Sequence, residues 1–277
     1  MAYKSICYAA LHETATSAGA AKAAVDVAAD LKAHLTVALG APQVFAPMLY
    51  PSPMLASIEV EVNERERARL TESGEAIRKQ AALAGVSCQI NVLNDVLYGV
   101  YQAIADFTRV NDLTITPTPA SDDGMLRDFV VDMVRGSGGP VLLVPENVPV
   151  ATRFNRILVA WDGGLEASRA LRHAMPLIAS AESVDIISIV ESGGGRRKPD
   201  TLNLAAAHLA RHCSKVNEIA LQSDAGAMTA IMNQASMARA DLIVMGFYGH
   251  SRLREWALGG ATSDMLRNAD RAILVAS

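Results

Sequence analysis

Cysteine and long apolar runs are scarce in this chain of 277 residues, and each shortage excludes a class of protein. Cys7, Cys88 and Cys213 are too few and too widely spaced for a disulfide framework or a metal site, so we expect buried free thiols in a reducing cytoplasm. No apolar run approaches the roughly 18 residues of a membrane-spanning helix. The N-terminus lacks the apolar region and cleavage site of a signal peptide and is predicted to be a first strand.

An excess of positive charge is also missing. The formal net charge is −4, which argues against a general nucleic-acid-binding protein. The acidity is uneven, because residues 1–149 carry 11 basic and 17 acidic side chains (−6), whereas residues 150–277 carry 14 and 12 (+2). The second half is therefore better suited to an anionic ligand.

Strand and helix patterns alternate along the second half of the chain. A polar, glycine-rich stretch at 191–200 is predicted to be a loop. Apolar runs of strand type lie at 156–161, 184–190, 216–221, 242–246 and 272–276, and helical spacing of apolar residues lies at 165–179, 202–213, 225–238 and 261–268.

The first half follows the same order, so the chain is predicted to be a tandem repeat. Its domains would span 1–148 and 153–277, joined by a proline-containing linker. The prolines of 42–54 predict a loop without helix. Such alternation predicts an α/β fold of two doubly wound, mainly parallel five-stranded sheets with helices on both faces. The predicted strands are 4–10, 35–39, 86–93, 113–116 and 141–144, and the predicted helices are 15–33, 59–84, 97–108 and 125–135.

The segment from Asp241 to Gly260 carries the clearest functional motif. Its apolar run ends in Gly246, and Gly249, Gly259 and Gly260 follow before a helical pattern begins. Glycines let the backbone approach a ligand closely, and a helix N-terminus attracts anions, so we interpret this segment as a phosphate-binding loop. The spacing matches neither the Walker loop nor the dinucleotide fingerprint. A tight loop with a helix start is the alternative.

Asp162 follows the first predicted strand of the second half. Ligands of open α/β sheets bind beyond the carboxyl ends of strands, where the strand order reverses. Asp162 and Gly246 both leave such strand ends, so we expect them to converge. Alternatively, Asp162 caps the helix that begins near Leu165.

Three stretches of the second half, ILVAWDGG, DLIVMGFYGHSRLREWALGGATSDML and ILVAS, resemble the universal stress protein family. The whole chain resembles a tandem universal stress protein whose second domain has the family's G-x2-G-x9-G type of ATP-binding motif. The resemblance implies that the last strands of the two domains (141–144 and 272–276) pair, which would make the chain an intramolecular pseudo-dimer.

The same resemblance implies an adenine-nucleotide site, with ATP as the ligand and Mg²⁺ as its companion ion. Asp162 would bond the adenine or ribose side, and Met245 and Gly246 would flank the ribose. Ala160, Trp161 and Ile189 would line the base, and Gly249, His250, Gly259, Gly260, Ala261 and Thr262 would meet the phosphates.

Two departures from the family pattern affect this expectation. Gly260 stands where the family usually has Ser or Thr; a lost bond to a charged group costs about 1.5–3 kcal/mol, unless Thr262 or Ser263 replaces it. The first half departs further, because it has TPTPASDDG instead of the glycine motif and AALHET instead of an Asp-Gly turn. We therefore predict a fold without a pocket there, and one ligand site per chain.

The favoured hypothesis is a regulatory protein of the stress response that binds an adenine nucleotide and an unidentified protein partner, without nucleic acid, membrane or metal site. A homodimer of whole chains is compatible with it. No catalytic residue is predicted. One rival is a slow ATP-hydrolysing or nucleotide-transferring enzyme, in which His250 would be the acid or base. The other is a nucleotide-free scaffold.

Overall fold

The computed structural model describes residues 2–44, 53–118, 123–146, 153–190, 201–224, 226–247 and 269–277. The fold is α/β, as predicted. In the first half, a 3₁₀ helix (His12–Thr16) follows the first strand. The other elements are β1 (Ser5–Leu11), α1 (Ala18–Leu31), β2 (His34–Pro42), α2 (Pro53–Leu83), β3 (Cys88–Asp95), α3 (Leu97–Arg109), β4 (Leu113–Thr118), α4 (Gly124–Gly136) and β5 (Val141–Pro145).

The second half repeats this order. Its described elements are β6 (Arg156–Ala160), α5 (Leu165–Ile178), β7 (Ser183–Val190), α6 (Leu202–Leu209), β8 (Val216–Gln222), α7 (Ala227–Ala238), β9 (Leu242–Gly246) and β10 (Ala272–Ala276). The predicted loop at 191–200 and the predicted helix at 261–268 lie outside the described residues.

The two predicted five-stranded sheets are joined into one ten-stranded sheet. Its order is β3-β2-β1-β4-β5-β10-β9-β6-β7-β8. Neighbouring strands are parallel within each half, and β5 and β10 are antiparallel to each other, with Leu142 opposite Leu274. The predicted pairing of the two last strands is therefore confirmed.

The strand registers of the two halves match residue by residue. Ile6 pairs with Leu113 as Ile157 pairs with Leu242, and Thr114 pairs with Val141 as Ile243 pairs with Ile273. By this register Leu142 is equivalent to Leu274. Because these two residues face each other across the β5–β10 pair, a pseudo-two-fold axis passes between them.

Two equivalent aspartates fix the start of the first strand in each half. Asp112 Oδ2 accepts hydrogen bonds from the backbone N–H groups of Lys4 (2.7 Å) and Ser5 (2.9 Å). Asp241 Oδ2 accepts them from Asn155 (3.0 Å) and Arg156 (2.9 Å). The repeat therefore extends from the strand order to individual hydrogen bonds.

Helices cover both faces of the sheet. On one face α1, α2, α5 and α6 pack against the strands, and their apolar side chains form one buried cluster that runs through both halves. On the other face α3, α4 and α7 contribute to two clusters. Strands covered on both faces are buried throughout, as β4, β5 and β10 are.

Two helix boundaries correct the sequence-based expectation. Helix α2 begins at Pro53, six residues before the predicted start at Glu59, because proline is tolerated in the first turn of a helix. Helix α6 ends at Leu209, short of the predicted Cys213. There the N–H of His212 bonds the carbonyl of Leu209 (2.8 Å), which tightens the chain into a turn.

The three cysteines are free; Cys7 and Cys213 are buried as predicted, whereas Cys88 is half-buried in the edge strand β3. No helix in the described part of the chain combines the length and apolarity needed to cross a bilayer.

Candidate functional site

A cleft opens in the second half where the strand order reverses. Strand β6 is followed in sequence by β7 on one side, and β9 lies on its other side. Their carboxyl ends, Ala160 and Gly246, therefore face a common gap, which is where open α/β sheets bind ligands. Asp162 and Gly246 both line this cleft, which confirms the prediction that the two chain segments converge.

The cleft has an empty volume of about 520 Å³, including the part open to solvent. The side chains of the walls are apolar except for that of Asp162. The lining residues are Ala160, Trp161, Asp162, Ala167, Ile187, Ile189, Ala227, Ile231, Met245 and Gly246.

Six of the predicted site residues are among these, namely Ala160, Trp161, Asp162, Ile189, Met245 and Gly246. The six predicted phosphate contacts (Gly249, His250, Gly259, Gly260, Ala261 and Thr262) lie outside the described residues. Ala167, Ile187, Ala227 and Ile231 were missed. A positional signal was present for Ile187, which lies two strand positions before Ile189, and for Ala227 and Ile231, which have i, i+4 spacing.

Asp162 is the only ionisable side chain among the described residues of the lining. Its Oδ1 accepts a hydrogen bond from the backbone N–H of Gly164 at 2.7 Å. Gly164 is the N-cap residue of α5, so the carboxylate stabilises the turn before the helix and bonds none of the helical N–H groups in the described contacts. Asp162 is exposed, and the remaining acceptor positions of the carboxylate suit a ligand's hydroxyl or amino donors.

The turn between β6 and α5 needs its glycine. Gly163 has φ of +73°, a left-handed conformation that favours glycine. A Cβ there would also lie 3.0 Å from Thr201 Oγ1. The glycine therefore leaves room for Thr201, the residue before α6, to pack against this turn.

Trp161 contributes to two surfaces. Its backbone N–H donates to the carbonyl of Ile187 at 2.8 Å, which extends the β6–β7 pairing to the cleft. Its indole packs against the core on the face of α5 and α6, and Nε1–H donates to Thr201 Oγ1 at 3.0 Å. The indole is thus a packing group, as is the fully buried ring of Phe247.

Gly246 has a structural role in addition to its place in the motif. A Cβ on Gly246 would lie 2.7 Å from the backbone nitrogen of Ala167 and 2.8 Å from the carbonyl carbon of Glu166. Only glycine therefore lets the first turn of α5 dock against the end of β9. Loss of binding on substitution of Gly246 would not by itself identify a ligand contact.

The equivalent region of the first half is filled with side chains. By strand register, Leu11 replaces Asp162 and Gly40 replaces Ile189. Leu11 is fully buried among residues of α3 and α4. A Cβ on Gly40 would lie 2.5 Å from Val100 Cγ1 and 2.8 Å from Ile104 Cδ1, so α3 packs directly on this strand. These contacts fill the position equivalent to the cleft, and the absence of a ligand site in the first half stays a prediction.

The turn after β1 nevertheless has the same left-handed backbone conformation as the turn after β6. His12, equivalent to Gly163, has φ of +52°. Its Nδ1 lies 3.2 Å from Glu66 Oε1 on α2, a contact that ties the turn to that helix. The first half thus has the same turn conformation, and the contact between His12 and Glu66 holds the turn against α2.

Among the described residues, no group of three or more His, Cys, Asp or Glu side chains could hold a metal ion. A divalent cation at the cleft would find one carboxylate in the described lining, Asp162.

Residues 153–277 match the model of the Universal stress protein family. The whole chain is similar in fold to a universal stress protein from Archaeoglobus fulgidus DSM 4304, with a TM-score of 0.69 and 16% identity over 98% of this chain and 96% of that one. It is also similar to a functionally unknown protein from Pseudomonas aeruginosa PAO1, with a TM-score of 0.51 and 16% identity over 99% of this chain and 92% of that one. No curated protein matches the sequence.

Proposed function

We propose that the second half of this chain binds one adenine nucleotide, with ATP preferred, in the cleft between β6 and β9, and that binding regulates a protein partner in a stress response. The observation that carries the proposal is the difference between the halves. The same strand framework encloses an apolar cleft with one carboxylate in the second half and a packed core in the first.

The chemistry of the cleft fits this ligand. The apolar side chains around Ile187, Ile231 and Met245 suit a purine base, and the Asp162 carboxylate suits ribose hydroxyls or an exocyclic amine. The phosphates of the bound nucleotide would extend past Gly246 toward the other glycines of the motif. Mg²⁺ would then be bound mainly by phosphate oxygens, which is common for this ion.

The nucleotide would regulate the protein because it binds one conformation of the chain more tightly than another. A nucleotide that binds the partner-binding conformation more tightly than the other conformation shifts the population toward it by that difference in affinity. Hydrolysis would be slow and incidental, because Asp162 is the one ionisable group that the described lining offers. A cytoplasmic location, with its reduced thiols, fits the three free cysteines.

The first experiment is mass spectrometry of the small molecules released when freshly purified protein is denatured, followed by calorimetric titration with ATP and Mg²⁺. We expect close to one adenine nucleotide per chain. Two per chain would show that the first half also has a site. No released nucleotide and no heat of binding would refute the proposal and favour a scaffold without ligand.

Variants at Asp162 separate its two roles. Asp162→Asn keeps an oxygen for the Gly164 N–H but removes the charge, whereas Asp162→Leu installs the residue of the first half and removes both. We expect Leu to weaken ATP binding more than Asn does. Asp106→Asn, on an exposed ion pair of α3, is the matched control for a lost charge and should bind like the wild type.

A further inference from the structure

Thr201 stands immediately before α6, at the position where a threonine commonly caps a helix. Its carbonyl accepts the first backbone hydrogen bond of the helix, from the N–H of Ala205 at 3.0 Å. Its hydroxyl makes no capping bond, although an N-cap threonine typically accepts from an N–H of the first turn. The hydroxyl oxygen instead accepts a hydrogen bond from the indole Nε1–H of Trp161 at 3.0 Å. The side chain of Thr201 is therefore directed to the turn after β6.

The same hydroxyl lies beside the backbone of that turn. A Cβ on Gly163 would lie 3.0 Å from Thr201 Oγ1, so a side chain at this position would press on the hydroxyl. Asp162 is thus flanked in sequence by the residue that bonds Thr201 and by the residue that packs against it. Asp162 is also the one ionisable residue in the described lining of the cleft, so Thr201 is placed to fix the segment that carries this charge.

Trp161 and Asp162 serve opposite faces of the sheet, as successive residues of a strand do. The indole of Trp161 packs against the core under α5 and α6. The carboxylate of Asp162 lines the cleft, together with Ala227 and Ile231 of α7 on the other face. The bond to Thr201 therefore holds the end of β6 from the face away from the cleft and occupies no space within it.

The first half ties the equivalent turn in a different way. His12, the equivalent of Gly163, reaches α2 with its own side chain through the contact of Nδ1 with Glu66 Oε1 at 3.2 Å. Both α2 and α6 connect the second and third strands of their halves. Each half thus anchors the turn to the same helix, but the second half does so through the residue before Asp162 and keeps the turn itself free of a bulky side chain.

We propose that Thr201 is a positioning residue for ligand binding. Its hydroxyl, through Trp161, sets the turn that presents the Asp162 carboxylate to the ligand. The inference rests on the proposed function, because that ligand is the adenine nucleotide proposed for the cleft. Thr201 itself does not belong to the described lining. A turn that is fixed before binding loses less conformational freedom when the ligand arrives, and the smaller loss raises the affinity.

The first test needs no ligand. The N–H of Gly164 bonds Asp162 Oδ1 at 2.7 Å, so its hydrogen-exchange rate, measured by NMR, reports whether the turn is held. Thr201→Val keeps the shape but removes the acceptor, and should raise this rate about threefold to tenfold. Thr201→Ser keeps the hydroxyl and should exchange like the wild type. An unchanged rate in Thr201→Val, or an equal rise in both variants, would overturn the proposal.

The second test measures ATP affinity by calorimetry and asks whether Thr201 acts through Asp162. Thr201→Val should weaken binding about threefold to tenfold in the wild type, and less than about twofold in Asp162→Asn, because the charge to be positioned is already absent there. Equal losses in both backgrounds would refute an action through Asp162. Circular dichroism checks that each variant is folded.

Thr71→Val is the matched control for a lost hydroxyl. The hydroxyl of Thr71 bonds the carbonyl of Arg67 within α2 at 2.8 Å, far from this turn in sequence, so the variant should match the wild type in Gly164 exchange and in ATP affinity. A wild type that binds no ATP would refute the proposed function and this inference with it. Binding by the wild type that Thr201→Val leaves unchanged would refute this inference alone.

Discussion

The two halves of this molecule share a backbone plan and differ in what they do with it. Strand registers, the anchoring aspartates and even a left-handed residue after the first strand recur at equivalent positions. One half nevertheless has an open cleft, and the other has a packed core at the same place. The framework therefore does not determine the site; a few side chains at the strand ends do.

The comparison identifies those side chains. A buried leucine at 11 stands where an exposed aspartate stands at 162, and Gly40 lets α3 approach the sheet where Ile189 borders open space. Replacing a glycine by a large residue is normally disruptive, so we expect that the first half does not tolerate the residue of the second half at this position. Four substitutions can break or sharpen this comparison.

The largest effect is expected for Gly40→Ile, which gives the first half the residue of the second. Its Cβ would lie 2.5 Å from Val100 Cγ1. Overpacking a core typically costs about 1–3 kcal/mol and occasionally more, and the large side chain of isoleucine places this variant at the upper end. Urea denaturation measures the loss. The additional substitution Ile104→Ala should recover part of the stability by making room, and an unchanged single variant would show that α3 is not held closely at this strand.

Gly246→Ala should lower the free energy of unfolding by about 1–3 kcal/mol, because the added Cβ would press on the backbone of α5. Gly139→Ala, whose nearest contact would be 4.0 Å away, is the control and should change stability little. Both variants are compared by thermal and chemical denaturation. If both glycines tolerate alanine equally, the close docking of α5 is wrong.

Thr116→Val should raise stability by about 1 kcal/mol. Thr116 is equivalent to the cleft residue Met245, and its hydroxyl is buried without a hydrogen-bond partner among the described residues. An unsatisfied buried hydroxyl is costly, and valine has nearly the same shape. The midpoint of thermal unfolding tests this, and a lower midpoint would show that the hydroxyl is satisfied in solution.

The smallest effect is expected for Asp112→Asn and concerns the stability of the fold at low pH. Backbone hydrogen bonds from Lys4 and Ser5 hold the pKa of Asp112 below its usual value. Because the folded-state pKa is lowered, this contribution to stability is present above the unfolded pKa near 3.9 and is lost as pH falls through the folded value. Asp112→Asn should therefore flatten the decrease in unfolding free energy between about pH 5 and 3. An identical slope in both proteins would contradict this.

Much of the fold could be predicted from the sequence because apolar strands and amphipathic helices alternate plainly. The pairing of the last strands followed from the family resemblance. The start of α2 was missed because Pro53 was weighed as a helix breaker, although a first-turn proline is compatible with a helix. The missed cleft residues Ala167 and Ala227 carry no chemical signal of their own; they matter through the position of their helices, which only packing determines.

The pseudo-two-fold axis at Leu142 and Leu274 has a consequence for ligand titrations. Two identical subunits related by such an axis would have two identical sites, and occupancy of one could change the affinity of the other. Here both sides of the axis belong to one polypeptide, so each side has its own sequence, and Leu11 and α3 fill the position of the cleft in the first half. With one proposed site per chain, saturation of a single chain is a simple hyperbola with a Hill coefficient of about 1. Any steeper curve would have to come from contacts between chains.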